Sequence, residues 1–298
     1  MRKGRKGMSK IAILCDSLAY LDPAFKEEHD IFVVPLSVTF SDGTYRDMVD
    51  IDDETFYAKV EATGEFPKSS QPSPGAFMEA FDEIQAKGYD QVLAIMVTPR
   101  ASGTFETLKM AADQEEDLEV YPFNSQIGLQ AQSYYIEEAV KERDQGRSIE
   151  EIVNNLNKLH PYSKLYVILD DVRYVLKGGR LGSAATALVN FLKIKPIVKV
   201  GQDRLELSAR TRSLKKAIQR VVESLEADAS KGLPLRATIS GRKDFEPYQS
   251  LKAMVQEKFP DIRLEEGIIG PTVGVHSGPN AFALMWSIDT DKQSLEDL

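Results

Sequence analysis

The sequence predicts an α/β protein whose first half carries a mostly parallel sheet, and three observations lead there. Short apolar runs such as Ile11-Ala-Ile-Leu-Cys15, Ile31-Phe-Val-Val-Pro35 and Gln91-Val-Leu-Ala-Ile-Met-Val97 alternate with segments of helical period, the pattern of parallel strands joined by crossover helices. Polar residues follow two of these runs, Asp16-Ser17 and Thr98 to Thr104, at the carboxyl ends where such sheets collect ligands. The chain has 298 residues, the length of two domains or one large one.

Taken in order, Ile11–Cys15 is a buried strand, and Asp16 at its end fits either bracing of the next loop or support of a site. Ile31–Pro35 is the next strand. Leu36–Phe40 runs on extended into the turn Ser41-Asp42-Gly43, which predicts a hairpin-like excursion. Asp52–Thr63 has helical period through Phe56, Tyr57 and Val60, with acidic residues in its first turn where the helix dipole favours them. Helices follow at 74–87, stopped by Gly88, and at Thr107–Asp113, with the strand Gln91–Val97 between them. The strand Glu119–Phe123, a long helix over about Gly128–Gln145 and a helix over Ser148–Leu159 complete this half.

His160-Pro161-Tyr162-Ser163 is the candidate boundary. The expected organisation is a loose N-terminal extension at 1–8, an N-terminal α/β domain at 9–162, a C-terminal α/β domain at 163–288 and an acidic tail at 289–298 that frays. Beyond the boundary Leu165–Leu169 is a strand, Asp170-Asp171 starts a helix, and Lys177-Gly-Gly-Arg-Leu-Gly182 is a loop. An apolar helix at Ala184–Phe191 precedes Lys193–Val198, and Asp203 and Arg204 turn a hairpin toward Leu205-Glu-Leu207. A basic helix runs from Ser213 to about Ala227, followed by a strand at 235–240 and a helix at 246–258. Ile268–Val275 leads to His276-Ser277-Gly278-Pro279.

Charge and rare residues narrow the function. The chain carries 46 acidic and 37 basic residues, a net charge of −9, which disfavours non-specific binding to nucleic acid. The single cysteine, Cys15, excludes an intramolecular disulfide and a thiolate-rich zinc site. His29, His160 and His276 lie too far apart for metal-ligand spacing, so no metal is expected. No apolar run approaches the roughly 20 residues of a membrane span, and no cleavage site follows the basic start Met1–Gly7. A soluble, cytoplasmic protein is expected.

The densest chemistry is in Lys68-Ser69-Ser70-Gln71-Pro72-Ser73-Pro74-Gly75. Pro74 suits the first turn of a helix, Ser73 is a natural N-cap, and Phe77, Phe81 and Ile84 give the helix an apolar stripe. Hydroxyls beside unpaired N–H groups suit an anionic head group, while an ordinary capped helix start is the plainer reading. Ser102 likewise caps a helix or meets a ligand, and His276 is a ligand or a satisfied core histidine. Lys177 to Arg180 also reads as a helix C-cap, and the helix with Arg212, Lys215, Lys216 and Arg220 as a solvated face.

Together these residues resemble the DegV family. The resemblance rests on Asp16-Ser17, Ser69–Gly75, Ser102-Gly103-Thr104, Lys177–Leu181, Lys195-Pro196, Arg210-Thr211-Arg212, and Gly270-Pro271 with Gly274–Pro279, in this order over about residues 9–288. It implies a two-domain α/β DegV-like fold with one long-chain fatty acid between the domains, as in the FakB proteins that serve a fatty acid kinase. It implies that Ser69, Ser70, Ser102, His276 and Ser277 hold the carboxylate and that Arg180 acts in head-group and kinase interactions. Neither a catalytic residue nor any cofactor beyond the lipid is implied. The protein would be a monomer that presents the carboxylate to the kinase and carries the acyl phosphate onward for phospholipid synthesis, with transient contact at a membrane. Ser69 and Ser277 replace the usual threonines and keep the hydroxyl, whereas Asn124 and Asn280 depart from the family pattern.

Elementary energetics agree with this reading. A buried carboxylate needs hydrogen-bond partners, and a tail of about fifteen methylenes at about 0.8 kcal/mol each gives on the order of 12 kcal/mol gross. The rival is a serine-dependent lipid hydrolase or acyltransferase with Ser102 as nucleophile and His276 as base. Ser102 lacks the G-x-S-x-G elbow, and no acidic residue is assigned to orient His276. A phosphotransferase acting alone lacks its phosphate-binding lysine loop.

Overall fold

A computed structural model describes residues 10–180, 194–201 and 204–298. The N-terminal extension, Leu181 and Gly182, the apolar helix expected at Ala184–Phe191, and Asp203 lie outside the described residues.

Strand β1 (Ile11–Asp16) is buried at all six positions, as befits a strand flanked on both edges and covered on both faces. β2 (Phe32–Val34) lies parallel on one side of it. The excursion is a small antiparallel sheet: β3 (Ser37–Phe40) pairs with β4 (Gly43–Arg46) and with β5 (Lys68–Ser70). β6 (Gln91–Met96) and β7 (Glu119–Asn124) return to the first sheet, giving the all-parallel order β2-β1-β6-β7.

The second sheet is mostly antiparallel. β8 (Lys164–Ile168), β9 (Lys195–Gly201), β10 (Arg204–Thr211), β11 (Leu235–Gly241), β12 (Arg263–Gly267) and β13 (Phe282–Ile288) form it in the order β10-β9-β8-β13-β11-β12. Only β11 and β12 pair in parallel. Three of the chain's strands answer to no sequence expectation. Lys68–Ser70 has too few apolar residues to read as a strand and is recruited by β3. Arg263–Gly267 is a polar edge strand. Phe282–Ile288 is a fully buried apolar run at the centre of the sheet.

One core lies between the two sheets and includes Ile13, Leu93, Val167, Val198 and Met285, with the helix Gln130–Asp144 wedged beside it. The other face of the first sheet is covered by the helices Pro74–Ala86 and Thr104–Ala112. The other face of the second is covered by Leu214–Ala229 and Glu246–Lys258. The basic helix turns Ala217, Ile218, Val221 and Leu225 inward and leaves Lys215, Lys216 and Arg220 in solvent, so its charges form a solvated face. Among the described residues no helix is long and apolar enough to cross a membrane.

The acidic tail does not fray, contrary to expectation. Asp289 is 1% exposed and Leu295 3%. Lys158 donates to the Leu295 carbonyl at 2.7 Å, Lys141 to that of Thr290 at 2.8 Å, and Arg147 reaches Glu296 at 2.6 Å. These cations line the helices Gln130–Asp144 and Ile149–Leu159 and their connection, and they supply the countercharge that a run of carboxylates otherwise lacks. Leu295→Ala is therefore expected to destabilise the fold by about 2 kcal/mol, read as a lower urea midpoint. A frayed tail would leave the midpoint unchanged.

Candidate functional site

A cavity of about 460 Å³ lies between the carboxyl end of the first sheet and the inner face of the second. Its polar end brings together Ser69, Ser70, Ser102, Arg180, His276 and Ser277, and adds Gln71 and Thr98. The rest of its wall is largely aliphatic, with Leu18, Leu36, Leu129, Val167 and Val198 among the contributors.

Each polar side chain is placed by a local device. Ser69 sits on β5 opposite Val38 of β3, and its hydroxyl is 2.7 Å from His276 Nε2. His276 stands in the last turn of the helix Pro271–Ser277, not in a flexible segment as its small neighbours suggest. Its other nitrogen, Nδ1, is buried without a hydrogen-bond partner. That edge of the ring lies against Gly178, where a Cβ would come within 2.3 Å of Nδ1. Burial, and secondarily the charge of Arg180, push the His276 pKa down to about 4, so the ring is neutral at pH 7.

Ser102 braces the turn that leads into a helix. Its oxygen accepts the Thr104 amide at 3.3 Å and lies 2.8 Å from the Thr104 hydroxyl, and it also lines the cavity. The helix begins at Thr104, three residues earlier than expected, with Gly103 at its N-cap. Gln71 donates to Thr107 at 2.8 Å and crosses Gly103, where a Cβ would fall 2.2 Å from its Oε1. Arg180 donates to the carbonyls of Gly178 at 2.8 Å and Ala101 at 3.4 Å, bridging the two halves of the rim. Burial lowers its pKa from the ordinary arginine value. The Ser277 hydroxyl is buried and unpartnered.

Other expectations are redistributed. The Ser-rich stretch divides: Ser69, Ser70 and Gln71 face the cavity, whereas the Ser73 hydroxyl takes the Ala76 amide at 3.2 Å and caps its helix. The cavity-lining serines of this stretch therefore belong to β5 and not to that helix start. Lys177 and Gly178 end the helix Val172–Gly178, closed by Gly179 at φ +69°, so the C-cap reading of this segment holds. The Lys177 ammonium stands 3.3 Å over the Phe66 ring. Asp16 is a brace: its carboxylate accepts the amides of Val97 at 2.7 Å and Leu18 at 3.0 Å. The hydrolase pairing does not form, because His276 bonds to Ser69 while Ser102 bonds to Thr104. Among the described residues no group of three His, Cys, Asp or Glu side chains is placed to hold a metal ion.

Gln71, Thr98 and Thr272 are polar cavity-lining residues that sequence reasoning did not single out. Gln71 lies inside the Ser-rich run, Thr98 directly after a buried strand, and Thr272 next to Gly270-Pro271.

Three outcomes are expected. An NMR titration should find the His276 imidazole neutral down to about pH 4. Arg180→Ala should raise that pKa toward the ordinary value, because a repelling cation is gone. Gly178→Ala should displace the ring and weaken ligand binding at least tenfold, about 1.4 kcal/mol, with a smaller effect on the melting temperature.

A family model described as "Uncharacterised protein, DegV family" matches residues 10–289. The chain is 33% identical to Protein DegV of Bacillus subtilis over 277 residues, 93% of this chain and 98% of that protein. The crystal structure of DegV from Bacillus subtilis, described as a fatty acid binding protein, superposes with a TM-score of 0.87 at 32% identity, covering 94% of this chain and 100% of that one. A fatty-acid-binding DegV family protein of Thermus thermophilus shares the fold at a TM-score of 0.85 and 24% identity, covering 94% of this chain and 99% of that one. With its cavity walled by the same Ser-rich, Ser-Gly-Thr and His-Ser-Gly-Pro segments that suggested the resemblance, this chain belongs to the DegV family.

Proposed function

We propose that the protein binds a long-chain fatty acid, with the carboxylate at Ser69, Ser70, Ser102, His276 and Ser277 and the tail in the aliphatic part of the cavity. The observation that carries this reading is the polarity of the cavity. Hydroxyls, an imidazole and a guanidinium gather at one end, and branched aliphatic side chains line much of the remainder. An amphipathic ligand with one anionic end satisfies both parts, since the anion collects charge-assisted hydrogen bonds and the tail leaves water. The Bacillus subtilis relative, described as a fatty acid binding protein, supports it.

The tautomer follows from the packing. Nδ1 faces Gly178 with no partner, and an unsatisfied buried N–H is worse than a bare nitrogen. The proton therefore sits on Nε2 and is donated to Ser69, which frees the serine hydroxyl to donate to the carboxylate. Arg180 supplies the positive charge at the rim and stands where a phosphoryl donor would approach. In this reading the units at 9–162 and 163–288 act as the two jaws of a cytoplasmic, monomeric carrier. It presents the carboxylate to a fatty acid kinase and then carries the acyl phosphate toward phospholipid synthesis, touching the membrane in passing.

Mass spectrometry of an organic extract of the denatured protein is the direct test: a stoichiometric long-chain acid is expected, and its absence even after loading with fatty acids would refute the reading. Ser102→Ala should weaken binding by roughly 1.5–3 kcal/mol, the worth of a hydrogen bond to a charged group. Arg180→Ala should reduce phosphorylation of the bound lipid by a kinase more than it reduces binding. An equal loss of both would confine Arg180 to the pocket. Turnover of a chromogenic ester that disappears in Ser69→Ala would instead reveal a hydrolase.

A further inference from the structure

The floor of the cavity has a direction. On the inner face of the second sheet Leu165 stands opposite Val200, and Val200 stands opposite Leu205, so one cross-strand row spans β8, β9 and β10. The next row is Val167, Val198 and Leu207. Leu165, Val167, Val198, Val200 and Leu205 line the cavity, and Leu207 does not. The floor therefore runs from Leu169, just past the end of β8, across two strands at Val167 and Val198, and widens to reach β10 only in the row nearest the hairpin, at Leu205.

Leu205 is its single contact with β10. No strand lies beyond β10 among the described residues, and Leu205 is partly buried. From Leu169 to the outer row is four residues along β8 and two strands across, a diagonal of roughly 16 Å at about 3.3 Å per residue and about 4.8 Å per strand. With C–C bonds of about 1.5 Å, an extended chain advances about 1.3 Å per methylene. The floor thus holds about a dozen methylenes before Leu205 is reached.

We propose that Leu205 is the residue that stops the acyl chain and so sets the longest fatty acid the protein accepts. The inference rests on the fatty-acid reading of the cavity and adds to it a position, on an edge strand, that reads length independently of the head-group residues. Removing side-chain volume there extends the floor, and adding volume shortens it. Each methylene gained or lost is worth about fourfold in affinity.

The test uses the delipidated full chain and measures displacement of a fluorescent fatty acid by saturated acids of about 12 to about 22 carbons, a span around the length that this floor and a head group require. Leu205→Ala should gain about tenfold on acids two carbons longer than the wild-type optimum, and Leu205→Phe should lose about tenfold at that optimum and favour shorter acids. Should the alanine variant not fold, Leu205→Val makes the same test with less packing lost. Leu207→Ala, on the same face of the same strand but outside the lining, should keep the wild-type profile. An unaltered length profile in folded Leu205 variants, or an equal shift in Leu207→Ala, would overturn the proposal. Wild-type protein that binds no acid of any length would instead overturn the fatty-acid reading, and the proposal with it.

Discussion

Two buried carboxylates hold the cavity in register. Asp16, at the end of β1, ties the end of β6 and the turn at Leu18. Asp47 accepts the Ser17 hydroxyl at 2.7 Å and the Thr272 amide at 3.3 Å, so it fastens the small sheet to the start of the helix that carries His276. Neither is exposed. Desolvation outweighs the hydrogen bonds at both, raising the pKa of Asp16 to about 7 and of Asp47 to about 6. A raised carboxyl pKa means that the folded protein holds protons the unfolded chain has released. The stabilisation is complete below about pH 4 and is lost as the pH rises through about 6 to 7. His160 and His276, both pushed by burial down to about 4, act in the opposite sense, present above about pH 6.5 and lost as the pH falls through about 4. The two acids and the two imidazoles therefore largely offset one another across that window.

The electrostatics of the polar end follow from the same economy. A neutral imidazole and several hydroxyls place no full charge deep in the wall, and Arg180, the one cation among the described lining residues, stays at the rim. Fixed dipoles can serve an anion when it is present without leaving a buried cation unpaired when it is not.

Much of this was legible in the sequence because the information is local. Buried strands such as Ile11–Cys15 and Gln91–Val97 announce themselves by continuous apolar runs, and the serines and His276 stand in short motifs that keep their order along the chain. What was not legible is decided by tertiary pairing. Lys68–Ser70 becomes a strand because β3 offers it an edge, and Asp289–Leu298 is held by cations distant in sequence, Lys141, Arg147, Lys158 and Arg263, and by the burial of Leu295. The division of the Ser-rich stretch between Gln71 and Ser73 depends on Gly103, on another element, leaving room for the Gln71 amide. Phe282–Ile288 is a different case, since both its apolar run and the turn residues beside it, Asn280 on one side and Asp289 and Asp291 on the other, stand in the sequence.

The slanted floor has a consequence for how such proteins diversify. In the proposed reading the carboxylate meets Ser69 and Ser70 on β5, Ser102 in the turn before a helix, and His276 and Ser277 within a helix, with Ser69 and His276 tied to each other. The proposed stop for the tail, Leu205, stands on a strand with one neighbour among the described residues, and a side chain there can change size without disturbing the centre of the sheet. It follows from that proposal that copies of this fold can drift apart in the acids they bind while the residues that meet the carboxylate stay the same. The scaffold separates what must be constant from what is free to vary.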